Sequence, residues 1–385
     1  MDYFKPFSVQ TQAKFYKAES ETLRLGGRME HLSYATYMKS TLRAIDSVFA
    51  LRMSNEQPVS AVTLIVAADV ARWKFNGDVK RCLEVKELFN NTPEATRKAT
   101  LEALYYIQAI RWVEHTVVPS YQITPNTLLQ LHGILSLGAG ASAHSQHFRN
   151  TYLPHKKGEN PANIQKKIEE LCDFSNGNYF SPIGQASVIH HAFERIVPFD
   201  SLIDRTGLLF AFMPMFRRGL FPSGYVVPIC WGCSLEKEYR KQLKDASRDE
   251  PTDKLYKTYR DQWAAYNARN TYMGATIANM FIDKTEVLSK SWRKTLKVPV
   301  NSALDKLLDL FLAIPQLSVA HAAACIGKSY GATNEAMHVL SKAGIVKETL
   351  IDGKERIFTC PQSVALIDAF VAELEKTAGA KNEEM

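Results

Sequence analysis

His190-His191-Ala192-Phe193-Glu194-Arg195-Ile196, followed by Val197-Pro198-Phe199-Asp200-Ser201-Leu202-Ile203-Asp204-Arg205-Thr206-Gly207-Leu208, is the stretch that decides the fold. Apolar residues recur at helical spacing from Ile183 to Ile196. Pro198 then closes that helix, because a proline pushes the residue before it out of the helical region. A second helix is predicted from Leu208 to Arg218, so the residues between form a short connecting loop. Within it Ser201-Leu202-Ile203-Asp204 fits an S-x-x-D capping box, which predicts a helix start that satisfies its own N–H groups with side chains.

The flanking sequence is helical in both directions. Pro58 to Trp73 and Glu94 to Val113 carry apolar residues at helical spacing. Thr92-Pro93 reads as a start signal for the second of these, and Thr124-Pro125 opens the next helix in the same way. That helix runs through Leu128, Leu129, Leu131, His132 and Leu135 and stops at Gly138-Ala139-Gly140-Ala141-Ser142, a loop composition. Phe148 to Pro154 reads as extended, and Pro161 to Asp173 resumes helix. Leu235 to Leu243 and Lys254 to about Lys290 are further helices, separated by the polar break SRDEPTD. No fixed-period repeat is present.

The tail has a different pattern. Helices are predicted at Asn301–Ala313, from Ser318 to Gly327, and at Ala332–Ala343. Ile345–Leu350 and Arg356–Thr359 read as strands joined at Asp352-Gly353, whose glycine supplies the positive φ of a tight hairpin. Three helices and a hairpin predict a winged helix-turn-helix.

Composition narrows the class. In 385 residues, 46% are apolar and 23% charged, which excludes a chain disordered throughout. The longest apolar run, Leu208 to Phe216, is far short of the ~20 residues a bilayer requires, so no membrane partner is expected. MDYFKPFSVQ lacks a basic start followed by an apolar core, which predicts no leader and a cytoplasmic location. Six cysteines do not make a disulfide scaffold. The net charge is +7, yet residues 298–385 hold 8 Lys/Arg against 11 Asp/Glu. Any basic surface therefore belongs to the larger N-terminal part.

At these residues the chain resembles the Fic family. The family motif reads H-P-F-x-(D/E)-G-N-G-R-x-x-R behind a helix of the form H-x-x-F-E-x-I. The helix, Pro198, Phe199, Arg205 and Gly207 set the register together. Ile123-Thr124 to Leu131-His132 is similar to an upstream family helix, and Phe148-Arg149 to the start of the flap that positions a target. The resemblance covers about residues 30 to 360. It implies a mainly α fold: a Fic-like helical core with a short flap hairpin, plus a C-terminal winged helix-turn-helix. The implied division is a helical extension over 1–95, a Fic-like domain over 96–297, and the winged helix with its tail over 298–385.

Members of that family mostly transfer AMP from ATP to a protein hydroxyl, and here the resemblance breaks down. Val197 stands where the motif histidine acts as base, and it cannot accept a proton. Ser201 stands for the acid that holds Mg²⁺. Leu202, Ile203 and Asp204 replace the glycine-bearing phosphate nest, which needs close backbone approach and often φ > 0. Arg205 is retained, as a residual nucleotide contact or as a partner for Asp204, Asp200 or Glu194. Leu208 replaces the second arginine. His190 lies seven residues before Val197, about 10.5 Å along a helix, against the roughly 3 Å of proton abstraction. The family's inhibitory segment has its nearest likeness at Thr41 to Ser47, with Asp46 in place of a glutamate.

The expected function is therefore a catalytically inactive Fic-like scaffold, with transcriptional regulation as one form of it. The alternative is an adenylyltransferase with an atypical motif. No catalytic residue, metal site or cofactor is expected; ATP and Mg²⁺ enter only under the alternative. The flap residues Phe148, Arg149, Thr151 and Tyr152 would take a protein or peptide. The tail would offer DNA Lys328, Tyr330, Thr333, Asn334, Lys342, Lys354 and Arg356, although its negative balance opposes phosphate contacts. A homodimer is an open alternative. The Cys230-x-x-Cys233 pair and the His144/His147 pair have no companions at metal-binding spacing and read as structural or surface residues.

Overall fold

The computed structural model describes residues 4–53, 59–84, 89, 92–140, 147–154, 158–222, 224–225, 227, 236–246, 253–351 and 355–379. The first helix, α1 (Val9–Glu30), starts where the Ser8 hydroxyl accepts from the Thr11 N–H. It lies along α10 (Asp253–Thr295), a 43-residue helix. Arg28 ties the two by ion pairs to Asp283 at 2.8 Å and Glu286 at 3.4 Å. Helices α2 (Ala35–Arg52), α3 (Ala61–Lys74) and α4 (Glu94–Thr116) pack on one another and carry mostly apolar buried faces. The cap expected at Thr92 does not form: α4 begins behind Pro93, with no side-chain cap.

Helix α5 (Pro125–Gly138) packs on α4 and opens as the sequence predicts. Thr124 and Thr127 form a reciprocal capping box, satisfying two N–H groups that the helix start leaves without partners. Helices α6 (Pro161–Asn176), α7 (Pro182–Ile196) and α8 (Ile203–Arg217) follow. Thirteen of the fifteen residues of α7 are buried, which makes it the central helix of this region. Its neighbour α8 comes close because residue 207 is glycine; a Cβ there would meet the Phe193 ring at 2.7 Å.

The short helix α9 (Glu236–Ala246) packs against α10. The tail contains α11 (Ala303–Ala313), α12 (Val319–Ile326), α13 (Tyr330–Lys342) and α14 (Pro361–Gly379). Ser302, Ser318 and Ser329 cap the first three. Among the described residues the one sheet is antiparallel, in the order β1 (Gln316–Ser318), β3 (Glu355–Thr359), β2 (Lys347–Ile351). Thr359 faces Gln316 on one side and Lys347 on the other. β1 is a strand that the sequence pattern did not predict; the Asp352-Gly353 turn and Lys354 lie outside the described residues.

The fold is mainly α. A single apolar core runs from Phe7 to Leu374 and includes residues from all three expected segments. One expected element is absent among the described residues: Phe148 to Leu153 is extended backbone but pairs into no strand, so no flap hairpin is formed there.

Candidate functional site

The loop between α7 and α8 is shaped by two left-handed residues. Val197 ends α7 with φ 52°, and its N–H donates to the Phe193 carbonyl at 3.0 Å. A β-branched residue at positive φ is strained, and close packing around it keeps it there. Val197 has no exposed surface. Phe199 is likewise buried and lies flat on the His132 ring, with centroids 3.8 Å apart. Leu202 then turns left-handed at φ 54° and leads into Ile203, the first residue of α8.

The expected capping box at Ser201 and Asp204 does not form. The residue preceding the helix is Leu202, which makes no side-chain cap, and Ser201 is exposed. The positive φ falls on Leu202, the first nest position. Ile203 is 6% exposed and Leu208 is 2% exposed, so both face the core.

Arg205 is fully inside the protein. Its Nη1 donates to Glu102 Oε2 of α4 at 2.8 Å, and both side chains are 3% exposed. The ion-pair reading of Arg205 holds, but Glu102 was not among the partners named from sequence. Glu102 shares a helix face with Ala99, Ala103 and Tyr106, all buried, so a carboxylate there needs a cation, although the sequence does not say which one. Next to Arg205, the Thr206 hydroxyl donates to the Leu202 carbonyl at 2.7 Å and lies 3.2 Å from His132 Nδ1. Burial pulls the His132 pKa down to about 4, so it is neutral near pH 7.

The flap is held shut against this loop. Arg149 is buried, and its guanidinium donates to the carbonyls of Val197 at 2.6 Å, Thr151 at 2.7 Å and Glu159 at 2.6 Å. A further contact reaches the Ile196 carbonyl at 3.4 Å. The bonds to Ile196 and Val197 satisfy carbonyls that the end of α7 leaves unpaired. Two backbone bonds add to them, Arg149 N–H to Pro198 at 2.9 Å and Glu159 N–H to Ile196 at 3.2 Å. Gly158 closes the gap; a Cβ there would meet Val197 Cβ at 2.9 Å. Phe148 is half-buried against Phe199, with centroids 5.4 Å apart. Only Thr151 and Tyr152 of the expected flap residues are exposed, Tyr152 at 68%. The flap edge facing the motif loop is thus already paired, so Phe148 and Arg149 are not offered to a peptide as expected.

His190 is a core histidine. Its Nε2 lies 2.9 Å from the Tyr239 hydroxyl, and burial drives its pKa down to about 3. Asp46 is buried on α2 and accepts from the Tyr225 hydroxyl at 2.7 Å.

In the tail, Lys328, Tyr330 and Lys342 are exposed. Thr333 is not available: it is buried, its hydroxyl donating to the Ser329 carbonyl at 2.8 Å. Asn334 Oδ1 accepts from Arg356 at 2.6 Å, and Arg356 also faces Glu348 at 3.7 Å. Both are therefore tied to each other and not presented as a pair of free groups. His147 is exposed; His144, Cys230 and Cys233 lie outside the described residues.

Residues 122–214 match the family described as Fic/DOC. That span includes the helix α7, the motif loop and the flap. The chain carries a Fic/DOC-family domain. Two solved structures share its fold. A Fic family protein from Desulfovibrio desulfuricans G20 aligns over 92% of this chain and 97% of its own, at 12% identity and a TM-score of 0.50. Residues 134–508 of Fic-1 from C. elegans align over 71% of this chain and 74% of that one, at 15% identity and a TM-score of 0.51. Searching the curated proteins gives no match. The Fic domain of this chain therefore has its helical frame in common with those proteins, while Val197 of its loop, Ile203 and Leu208 of α8, and the Arg205–Glu102 pair are buried. None of its described helices is long and apolar enough to cross a membrane.

Proposed function

We propose that this chain is a Fic-fold protein that does not transfer AMP and serves as a regulatory binding scaffold. The observation that carries the reading is Val197. It is a fully buried hydrocarbon at the place where the family motif carries its proton acceptor. Two neighbours agree with it. Arg205, the motif cation retained in sequence, is committed to Glu102. Leu208 is packed in the core at the place of the second phosphate clamp. On this reading ATP and Mg²⁺ are not cofactors of the protein.

The test uses the full chain with labelled ATP and Mg²⁺. We expect no label on the chain itself and no thermal shift with the nucleotide. Covalent label in the chain would restore the adenylyltransferase reading. Replacing Val197 with His alone should not produce transfer, since nest and clamp are missing too.

The partner we infer is a protein or peptide, recognised at the outer edge of the flap around Thr151 and Tyr152. The exposed Thr151 and Tyr152 there suit contact with an extended segment. The tail reads as a winged helix, and its exposed Lys328, Tyr330 and Lys342 favour contact over burial. Its negative charge balance and the Asn334–Arg356 pairing argue against DNA as the first partner. A gel shift over a salt series decides this: phosphate-dominated binding falls steeply with salt. A cytoplasmic location, and a homodimer as one form of assembly, belong to this proposal.

A further inference from the structure

Far from the motif loop, three different ligating side chains converge between α3 and the tail. Asp69 of α3 and His321 and Cys325 of α12 each place one ligand atom so that all three lie within 4.8 Å of one another. His321 and Cys325 are four residues apart, so both project from one face of α12. Asp69 and His321 are almost completely buried, at 2% and 3% side-chain exposure.

The contact between Asp69 and His321 is unusual. Asp69 Oδ2 and His321 Nε2 are 2.8 Å apart, yet neither atom has a partner in hydrogen-bond geometry. Buried polar atoms in that condition cost free energy, so they call for an explanation such as an ion. Their surroundings hold them in place. Arg72 binds the other oxygen, Asp69 Oδ1, at 2.7 Å, which leaves Oδ2 directed at the imidazole. The Trp73 ring lies flat on the His321 ring, with centroids 4.3 Å apart and planes 9° apart.

We propose that Asp69, His321 and Cys325 bind one zinc-class cation that clasps α3 to α12. The ligand set selects the metal. A thiolate and an imidazole suit zinc, whereas magnesium and calcium are held by oxygen alone. Three protein ligands leave the fourth tetrahedral position to water. With ligands at about 2.0–2.3 Å from zinc, neighbouring donor atoms lie roughly 3.5 Å apart. The Asp69–His321 contact therefore opens slightly when the metal enters. Binding converts the Cys325 thiol to thiolate and releases its proton to solvent. The metal then ties an N-terminal helix to the tail, and its free energy of binding adds to the stability of that junction.

The experiment uses the full chain carrying Cys230→Ser and Cys233→Ser, which removes the other cysteine pair as a competing site. Co²⁺ is added and read by absorption, then displaced with Zn²⁺. We expect one Co²⁺ per chain, a near-ultraviolet sulfur-to-cobalt band, and loss of that band with stoichiometric Zn²⁺. Cys325→Ser should abolish the band, and Asp69→Asn should weaken binding at least tenfold. Zn²⁺ should raise the melting temperature of the parent and leave Cys325→Ser unmoved. Should either variant fail to fold, competition for Zn²⁺ between the parent and a coloured chelator still reads the site. No cobalt band in the folded parent, or a band that survives Cys325→Ser, overturns the proposal and leaves an ordinary buried Asp–His pair.

Discussion

Arg205 and Glu102 are two charges 2.8 Å apart in a region from which water is excluded. Desolvating both costs several kcal/mol, and their attraction offsets that only while both are present. Removing one is therefore much worse than removing both. Glu102→Ala should destabilise the chain by about 3–5 kcal/mol, since it takes from a buried guanidinium the carboxylate it donates to. The double replacement Glu102→Leu with Arg205→Met should recover most of that loss. Urea unfolding of the three variants measures it, and a cost below about 1 kcal/mol for Glu102→Ala would show that the pair is hydrated in solution. The same pair shows what a sequence can disclose at this scale. That Arg205 is held by a carboxylate was legible from the acidic residues around it. Which carboxylate was not, because Glu102 lies 103 positions earlier in the chain and only packing of α4 on α8 joins them.

Helices α5 and α8 contrast two sequence signals of similar strength. Thr124 takes extended backbone angles, so its hydroxyl can turn to the N–H of Thr127, and the box forms. At α8 the chain turns left-handed at Leu202, the helix starts at Ile203, and Ser201 is one residue too early to cap it. Local spelling predicted both boxes; the tertiary demand for a turn between α7 and α8 decided the second. Thr124→Ala should thus cost about 1 kcal/mol, whereas Ser201→Ala should change stability by less than about 0.5 kcal/mol. Chemical denaturation of the two variants checks this, and equal losses would mean that Ser201 caps after all. The Asp352-Gly353 pair revealed the β2–β3 hairpin, and periodicity revealed most of the helices, because burial imposes it. It did not reveal β1, whose three residues are too short to show alternation. Nor did it reveal the closed flap: Arg149 reads as a peptide-contacting flap residue until the carbonyls at the end of α7 are placed around it.

Among the described residues, three buried imidazoles, His132, His190 and His191, are held neutral by desolvation. Burial lowers the pKa of His132 to about 4, and of His190 and His191 to about 3, each against an ordinary value near 6.5. The folded chain keeps these rings unprotonated, while the unfolded chain takes up a proton at each as pH drops through 6.5. A depressed folded pKa means that the stabilisation is complete above about pH 6.5 and is lost progressively as pH falls toward 4 and then 3. Within that window each histidine removes about 1.4 kcal/mol per pH unit. The upper part of it, pH 6.5 to 5, lies above the usual carboxylate range, so histidines dominate the slope there. The urea midpoint should therefore fall increasingly steeply between pH 6.5 and 5, with proton uptake on unfolding rising from about 1.5 to nearly three across that range. His190→Phe, which keeps a ring beside Tyr239 and Trp263, should reduce the uptake by one proton. A midpoint that stays level over this range would mean that the three rings reach water in the folded chain, and that the core around α7 is looser than its packing implies.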